Sequence, residues 1–124
     1  MNQNEEATPF YVQFVRRGVV LRCPIAQVAY FEACGNYAFV HLTDGTKGSL
    51  RITLRRLEFL YGNDVVLLER SHLVFKRQLL QLKRDSYGHY YARLRNDYCV
   101  PVGRSKFKKV RGFFPDDGVA TRSN

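Results

Sequence analysis

Three short polar segments interrupt apolar runs in this chain, and each carries a side chain whose hydrogen-bonding geometry suits the edge of a base pair. In Gly35-Asn36-Tyr37, the amide of Asn36 matches the paired donor and acceptor of adenine N6 and N7. The competing reading is a turn residue chosen because it tolerates positive φ. In Glu69-Arg70-Ser71-His72, the guanidinium of Arg70 fits guanine O6 and N7, or a phosphate; an ion pair with Glu69 or another acid would occupy it instead. In Gly103-Arg104-Ser105-Lys106, an apolar strand feeds a basic helix. Backbone N–H groups at that helix start could hold a phosphate, while Arg104, just ahead of the cap, could reach a base. Lys106, Lys108, Lys109 and Arg111 add charge along the same element.

The charge distribution favours a polyanionic partner. The chain carries a formal charge of +9. Setting aside Glu5, Glu6, Asp116, Asp117 and Arg122 leaves 19 basic and 7 acidic residues between 8 and 114, a net charge of +12. A field of that size on one small domain draws nucleic acid, or an anionic membrane surface, and speeds the encounter. Catalysis lacks parts. There is no GxSxG, P-loop, HExxH or GxGxxG, and Ser71, His72 and Asp85 make a poor start for a triad. Cys23, Cys34 and Cys99 form no CxxC pair and share no ligand spacing with His41, His72 and His89, so no metal, cofactor or small-molecule substrate is expected. All three cysteines are expected as buried free thiols, although Cys34, so near Asn36, is also a candidate redox-sensitive group. The N-terminal residues lack the features of a signal peptide and no apolar run approaches membrane-span length, which predicts a cytoplasmic protein.

The elements that must position these residues are mostly strands. Candidates lie at 10–15, 19–22, 28–34, 37–43, 47–52, 65–68, 79–84, 89–95 and 98–102, rich in β-branched and aromatic residues. Arg17-Gly18, Gly35-Asn36, Asp44-Gly45, Tyr87-Gly88 and Asn96-Asp97 supply hairpin chemistry between them. Two short helices are expected. Thr53 caps one whose Leu54, Leu57 and Leu60 share a face, with Gly62 as the stop. Ser105 caps the other, in which Phe107, Val110 and Phe114 lie on the core and Pro115 marks the limit. Residues 1–9 and 115–124 read as flexible ends around one domain spanning 10–114.

Taken in order, these segments resemble the LytTR family of bacterial transcriptional regulators. VAYFEACGNYAFVHLTDGT resembles that family's strand, Gly-Asn-Tyr loop, strand and Asp-Gly turn; TLRRLEFL resembles its helix; ERSHLVFK resembles its His-Arg-Ser-Tyr-Leu-Val-Asn block; and VPVGRSKFKKVRGFF resembles its closing strand and Lys-rich helix. The likeness covers about residues 10–114 and rests on collective order. It implies a mostly β fold of elongated, packed antiparallel sheets with short helices, in which loops enter successive major grooves of double-stranded DNA; the DNA-binding hypothesis adds a second copy on repeated half-sites. It places the base-facing positions on Asn36 or Tyr37, on Arg70, and on Arg104, with Ser71, Ser105, Lys106, Lys108 and Lys109 on phosphates. Glu69, His72 and Phe75 depart from the family's usual His, Tyr and Asn, so a target sequence does not carry over. Members often have an N-terminal phosphorylation receiver, for which the residues before Phe10 are too few.

Sequence-specific DNA binding is therefore the expected function. A protein-interaction module of the same fold, binding DNA without sequence preference, is the alternative. Single-strand or RNA binding ranks third, because most of the 17 Phe and Tyr side chains are needed for the core.

Overall fold

Two-residue and three-residue turns close the hairpins as the sequence predicts. Arg17 and Gly18 both take left-handed backbone, with φ of 53 and 77°, so β1 (Tyr11–Arg16) folds straight back onto β2 (Val19–Pro24). Gly35, at φ 60°, turns β3 (Val28–Cys34) into β4 (Tyr37–Leu42), with Cys34 paired to Tyr37. Positive φ at the first central position is what a type II′ turn asks, and only glycine meets it without strain. Strand β5 (Lys47–Leu50) follows the Asp44-Gly45 turn, where Asp44 accepts the Thr46 N–H at 2.9 Å.

The computed structural model describes residues 6–114; the expectations for 1–5 and 115–124 fall outside that range. After β5 comes α1 (Leu54–Tyr61), and the Thr53 hydroxyl accepts the Arg56 N–H at 3.2 Å as the capping reading requires. Then come β6 (Val65–Glu69), β7 (His72–Phe75), β8 (Leu79–Arg84), β9 (Tyr90–Leu94), β10 (Cys99–Val102) and α2 (Phe107–Arg111). Strand β7 is absent from the sequence-based assignment. Its residues Leu73, Val74 and Phe75 are all buried, so it shows no apolar-polar alternation for a reader of sequence to find.

All pairings are antiparallel. One sheet has seven strands in the order β2-β1-β5-β4-β3-β7-β6, and a second has three in the order β10-β9-β8. Two apolar clusters hold them. On one face of the large sheet, Phe14, Phe31, Val40, Leu50, Leu73 and Phe75 pack under Leu57 and Tyr61 of α1. On the other face, Tyr30, Val66, Leu68 and Val74 meet Leu82, Ala92, Leu94, Val100 and Val102 of the small sheet, together with Val110 of α2. Strands β3, β7 and β6 thus contribute to both clusters.

Residues 6–9 are tied to this body. Ala7 bridges to Val12, the Thr8 hydroxyl accepts the N–H groups of Phe10 and Tyr11 at 3.1 Å, and the Tyr61 hydroxyl donates to the Thr8 carbonyl at 2.8 Å. The cysteine expectation needs correction. Cys23 is buried, its thiol pushed up by desolvation, but Cys34 and Cys99 are exposed because they stand at strand ends where the sheets are uncovered.

The tightest packing constraint lies between β5 and β1. A Cβ on Gly48 would stand 2.1 Å from Phe14 Cδ2, closer than atoms can approach. Gly48→Ala should therefore cost about 1 to 3 kcal/mol of stability in chemical denaturation. Combined with Phe14→Leu it should cost less than the two single effects added, because the smaller side chain frees the space; strict additivity would sink the account.

Candidate nucleic-acid interface

The three polar segments come together on one edge of the molecule because of strand register. Strands β3 and β7 run antiparallel with Glu32 opposite His72, so the β3–β4 tip and the β6–β7 tip point the same way. The Ala33 N–H donates to the Ser71 carbonyl at 2.8 Å and locks the two tips side by side. Hairpins two strand spacings apart are centred about 10 Å from each other. The end of β10 joins the row through the Gly103 N–H, which donates to the Leu68 carbonyl at 2.7 Å.

Asn36 is exposed at its tip. Gly35, not Asn36, supplies the positive φ, so the turn makes no left-handed demand on the asparagine and its amide is not explained by backbone conformation. Tyr37 is 43 % exposed but engaged: Arg51 donates from Nη2 to its hydroxyl at 3.3 Å and covers its ring at 5.6 Å. The hydrogen bond to Tyr37 comes first among the causes that raise the Arg51 pKa.

Arg70 and Ser71 form the two-residue turn between β6 and β7, with Glu69 opposite His72. Glu69 does not pair with Arg70. Its Oε1 accepts the Ser71 N–H at 3.0 Å and meets His72 Nδ1 at 2.9 Å, so the carboxylate clasps the turn from inside. Desolvation, which comes first, raises its pKa, but the bonds from His72 and Ser71 together outweigh it and the carboxyl is held below its ordinary value of 4.5. Arg70 is exposed and, among the described residues, has no acidic partner. A Ser71–His72–Asp85 triad does not assemble either, since Asp85 faces His89 at 3.4 Å.

Arg104, also exposed and, among the described residues, without an acidic partner, begins a single 3-10 turn, Arg104–Lys106, that leads into α2. The capping expectation for Ser105 fails: Lys106 occupies the cap position of α2 and no side chain caps either element. Five helical residues after a 3-10 turn carry little dipole, so the side chains of Arg104, Lys108 and Lys109, rather than the helix start, make this corner positive. Lys108 and Lys109 are exposed and Lys106 is half-buried, while Phe107, Val110 and Phe114 form the expected inward stripe.

Behind the row lies an aromatic and histidine cluster. Tyr30 stacks on His41 with centroids 4.2 Å apart at 8°, and Tyr98 meets Tyr30 edge-on at 6.0 Å. His41 Nε2 lies 2.9 Å from Glu32 Oε1. Burial lowers the pKa of His41 and wins over the raising effect of Glu32, so the imidazole sits below its usual 6.5. Burial first, then Glu32 and Tyr98, pushes the Tyr30 hydroxyl up to about 12.

A fourth loop shares the edge, which sequence reasoning did not recognise. Val102 pairs with Tyr90, and Tyr90 with Arg84, so the β8–β9 tip, residues 85–89, stands beside Arg104. Hairpin register alone carries this signal. Turn residues and alternation gave the hairpin but not its neighbour.

An antiparallel frame carries three polar tips and the end of β10 along one edge, with exposed cationic side chains at Arg70 and Arg104. The family model of the LytTr DNA-binding domain matches residues 18–114, and the chain belongs to that family. Its fold is similar to that of the LytTr DNA-binding domain of a methyl-accepting/DNA response regulator from Bacillus cereus. The TM-score is 0.73 at 21 % identity, over 84 % of this chain and 95 % of that one. No curated protein matches the chain. Among the described residues, no helix is long and apolar enough to cross a membrane.

The depressed His41 pKa has a consequence for stability. Because the folded state disfavours the imidazolium, the stabilisation from keeping His41 neutral is present above 6.5 and is lost as pH falls below it. Thermal unfolding followed from about pH 7 to about pH 5 should show a fall in melting temperature that is shallower in His41→Gln; parallel profiles would refute the assignment.

Proposed function

We propose that this chain is the DNA-reading part of a bacterial transcriptional regulator, acting in the cytoplasm, and that Asn36, Arg70 and Arg104 read base edges in the major groove of double-stranded DNA. The observation that carries the reading is the pair of exposed guanidinium groups at Arg70 and Arg104, both without acidic partners among the described residues and both on turns bonded into one edge. An arginine held at a rigid tip with no internal partner is suited to two parallel hydrogen bonds to guanine O6 and N7.

Tyr37 and Ser71 support their neighbours in this reading, and Ser105, Lys106, Lys108 and Lys109 take phosphates beside Arg104. Phosphate contacts fix register on the duplex, while the three exposed tips supply sequence preference. A second copy on a repeated half-site would double the footprint.

The test is selection of random duplex DNA by the purified protein at about 150 mM salt, where nonspecific electrostatic binding is weakened. A short enriched motif is expected, repeated if two copies bind. Arg70→Ala and Arg104→Ala should each lose about 1 to 3 kcal/mol of discrimination at one position of that motif. Lys109→Ala should weaken binding to all sequences alike. Enrichment of no motif would leave a protein-interaction module that binds DNA by charge alone.

A further inference from the structure

We propose that the groove between the β8–β9 hairpin and α2 holds a phosphodiester of the DNA strand flanking the bases that Arg104 reads. The proposal rests on the reading above and extends its footprint by one loop. Arg84, Tyr87, Tyr90, Arg104, Phe107 and Lys108 are among the residues that line this groove. Arg84, Arg104 and Lys108 are cationic, and among the described residues none of the three has an acidic partner. Arg104 lies on the candidate reading edge and in the groove at once, so a nucleic-acid backbone that passes Arg104 continues into it.

The groove is built to hold its shape. Its floor is Tyr90 stacked on Phe107, ring centroids 3.9 Å apart, and the Arg84 guanidinium lies 5.9 Å from the Tyr90 centroid. Its outer wall is the hairpin tip, where Asp85 accepts the N–H groups of Tyr87 and His89, both at 2.9 Å. Those bonds hold the Asp85 carboxyl below its ordinary range and turn it into the tip, with His89 Nδ1 3.4 Å from its second oxygen. The acid nearest the groove is thus engaged within the hairpin.

Tyr87 is 83 % exposed at the tip, its ring tilted against that of His89 with centroids 6.5 Å apart, so most of the side chain faces outward. Its hydroxyl can donate to a phosphate oxygen, and Arg84 and Lys108 supply charge on either side. The groove is open and shallow, which suits a continuous chain of phosphates better than an enclosed small molecule.

The experiment measures the salt dependence of binding to the selected duplex, or to a random duplex if selection yields none. Arg84→Ala should lower the slope of log affinity against log salt by about 0.9 and leave sequence preference unchanged, since one phosphate contact is lost and no base contact. Tyr87→Ala should weaken binding with the slope intact, and Arg84→Lys should restore most of the slope. Shortening the duplex on one flank should weaken the parent protein more than Arg84→Ala, which has already lost one contact to that flank. An unchanged slope in Arg84→Ala overturns this inference whatever the selection shows. A missing motif with a lowered slope overturns base reading but keeps this phosphate site.

Discussion

Burial on both faces of three neighbouring strands is the constraint from which the rest of this molecule follows. Leu73 and Phe75 of β7 point into the cluster under α1, while Val74 between them points into the cluster under the small sheet. Phe31 and Tyr30 divide β3 in the same way, and Val65 and Val66 divide β6. A layer walled on both sides cannot slip by one residue without exchanging its two sets of side chains. That fixes Glu32 opposite His72, and with it the neighbourhood of the two tips.

Electrostatics complete what register begins. Among the described residues, most of the acidic groups are engaged close to home: Asp44 and Asp85 with turn N–H groups, Glu69 with Ser71 and His72, Glu32 with His41, and Asp97 with Arg93 at 2.7 Å. Several cations are engaged too, for Arg95 Nε donates to the Arg77 carbonyl at 2.8 Å and Arg22 reaches Gln13 at 3.1 Å. Along the edge, and among the described residues, Arg70, Arg84, Arg104, Lys108 and Lys109 have no acidic partner, so the positive charge of this edge is not neutralised within the fold.

Much of this was legible from residue types. Hairpin chemistry placed Arg17-Gly18 and Gly35-Asn36 correctly, and Thr53 announced its helix, because each signal is local and is met by backbone geometry within a few residues. What escaped were consequences of packing at a distance. Strand β7 was hidden because Leu73, Val74 and Phe75 are all apolar, as a doubly covered strand requires. Ser105 looked like a cap, but the chain leaves β10 through a 3-10 turn set by the Gly103 bond to Leu68, and the helix starts two residues later. Glu69 beside Arg70 suggested an ion pair, yet the closed two-residue turn brings its carboxylate to Ser71 and His72. The sharing of one edge by Asn36, Arg70 and Arg104 came from likeness to a family rather than from spacing, since register is written in no single segment.

The bond from Ala33 to Ser71 and that from Gly103 to Leu68 join backbone to backbone across three separate hairpins. A loop tied in this way has few conformations to lose when a ligand arrives, so docking forgoes little chain entropy and contact energy passes almost undiminished into affinity. The same ties make the tips poor at adjusting to a misplaced partner. In the proposed reading, a duplex whose groove width or bend differs from the spacing of the hairpins would have to deform to meet them, and the stiffness of the double helix would become part of what is recognised.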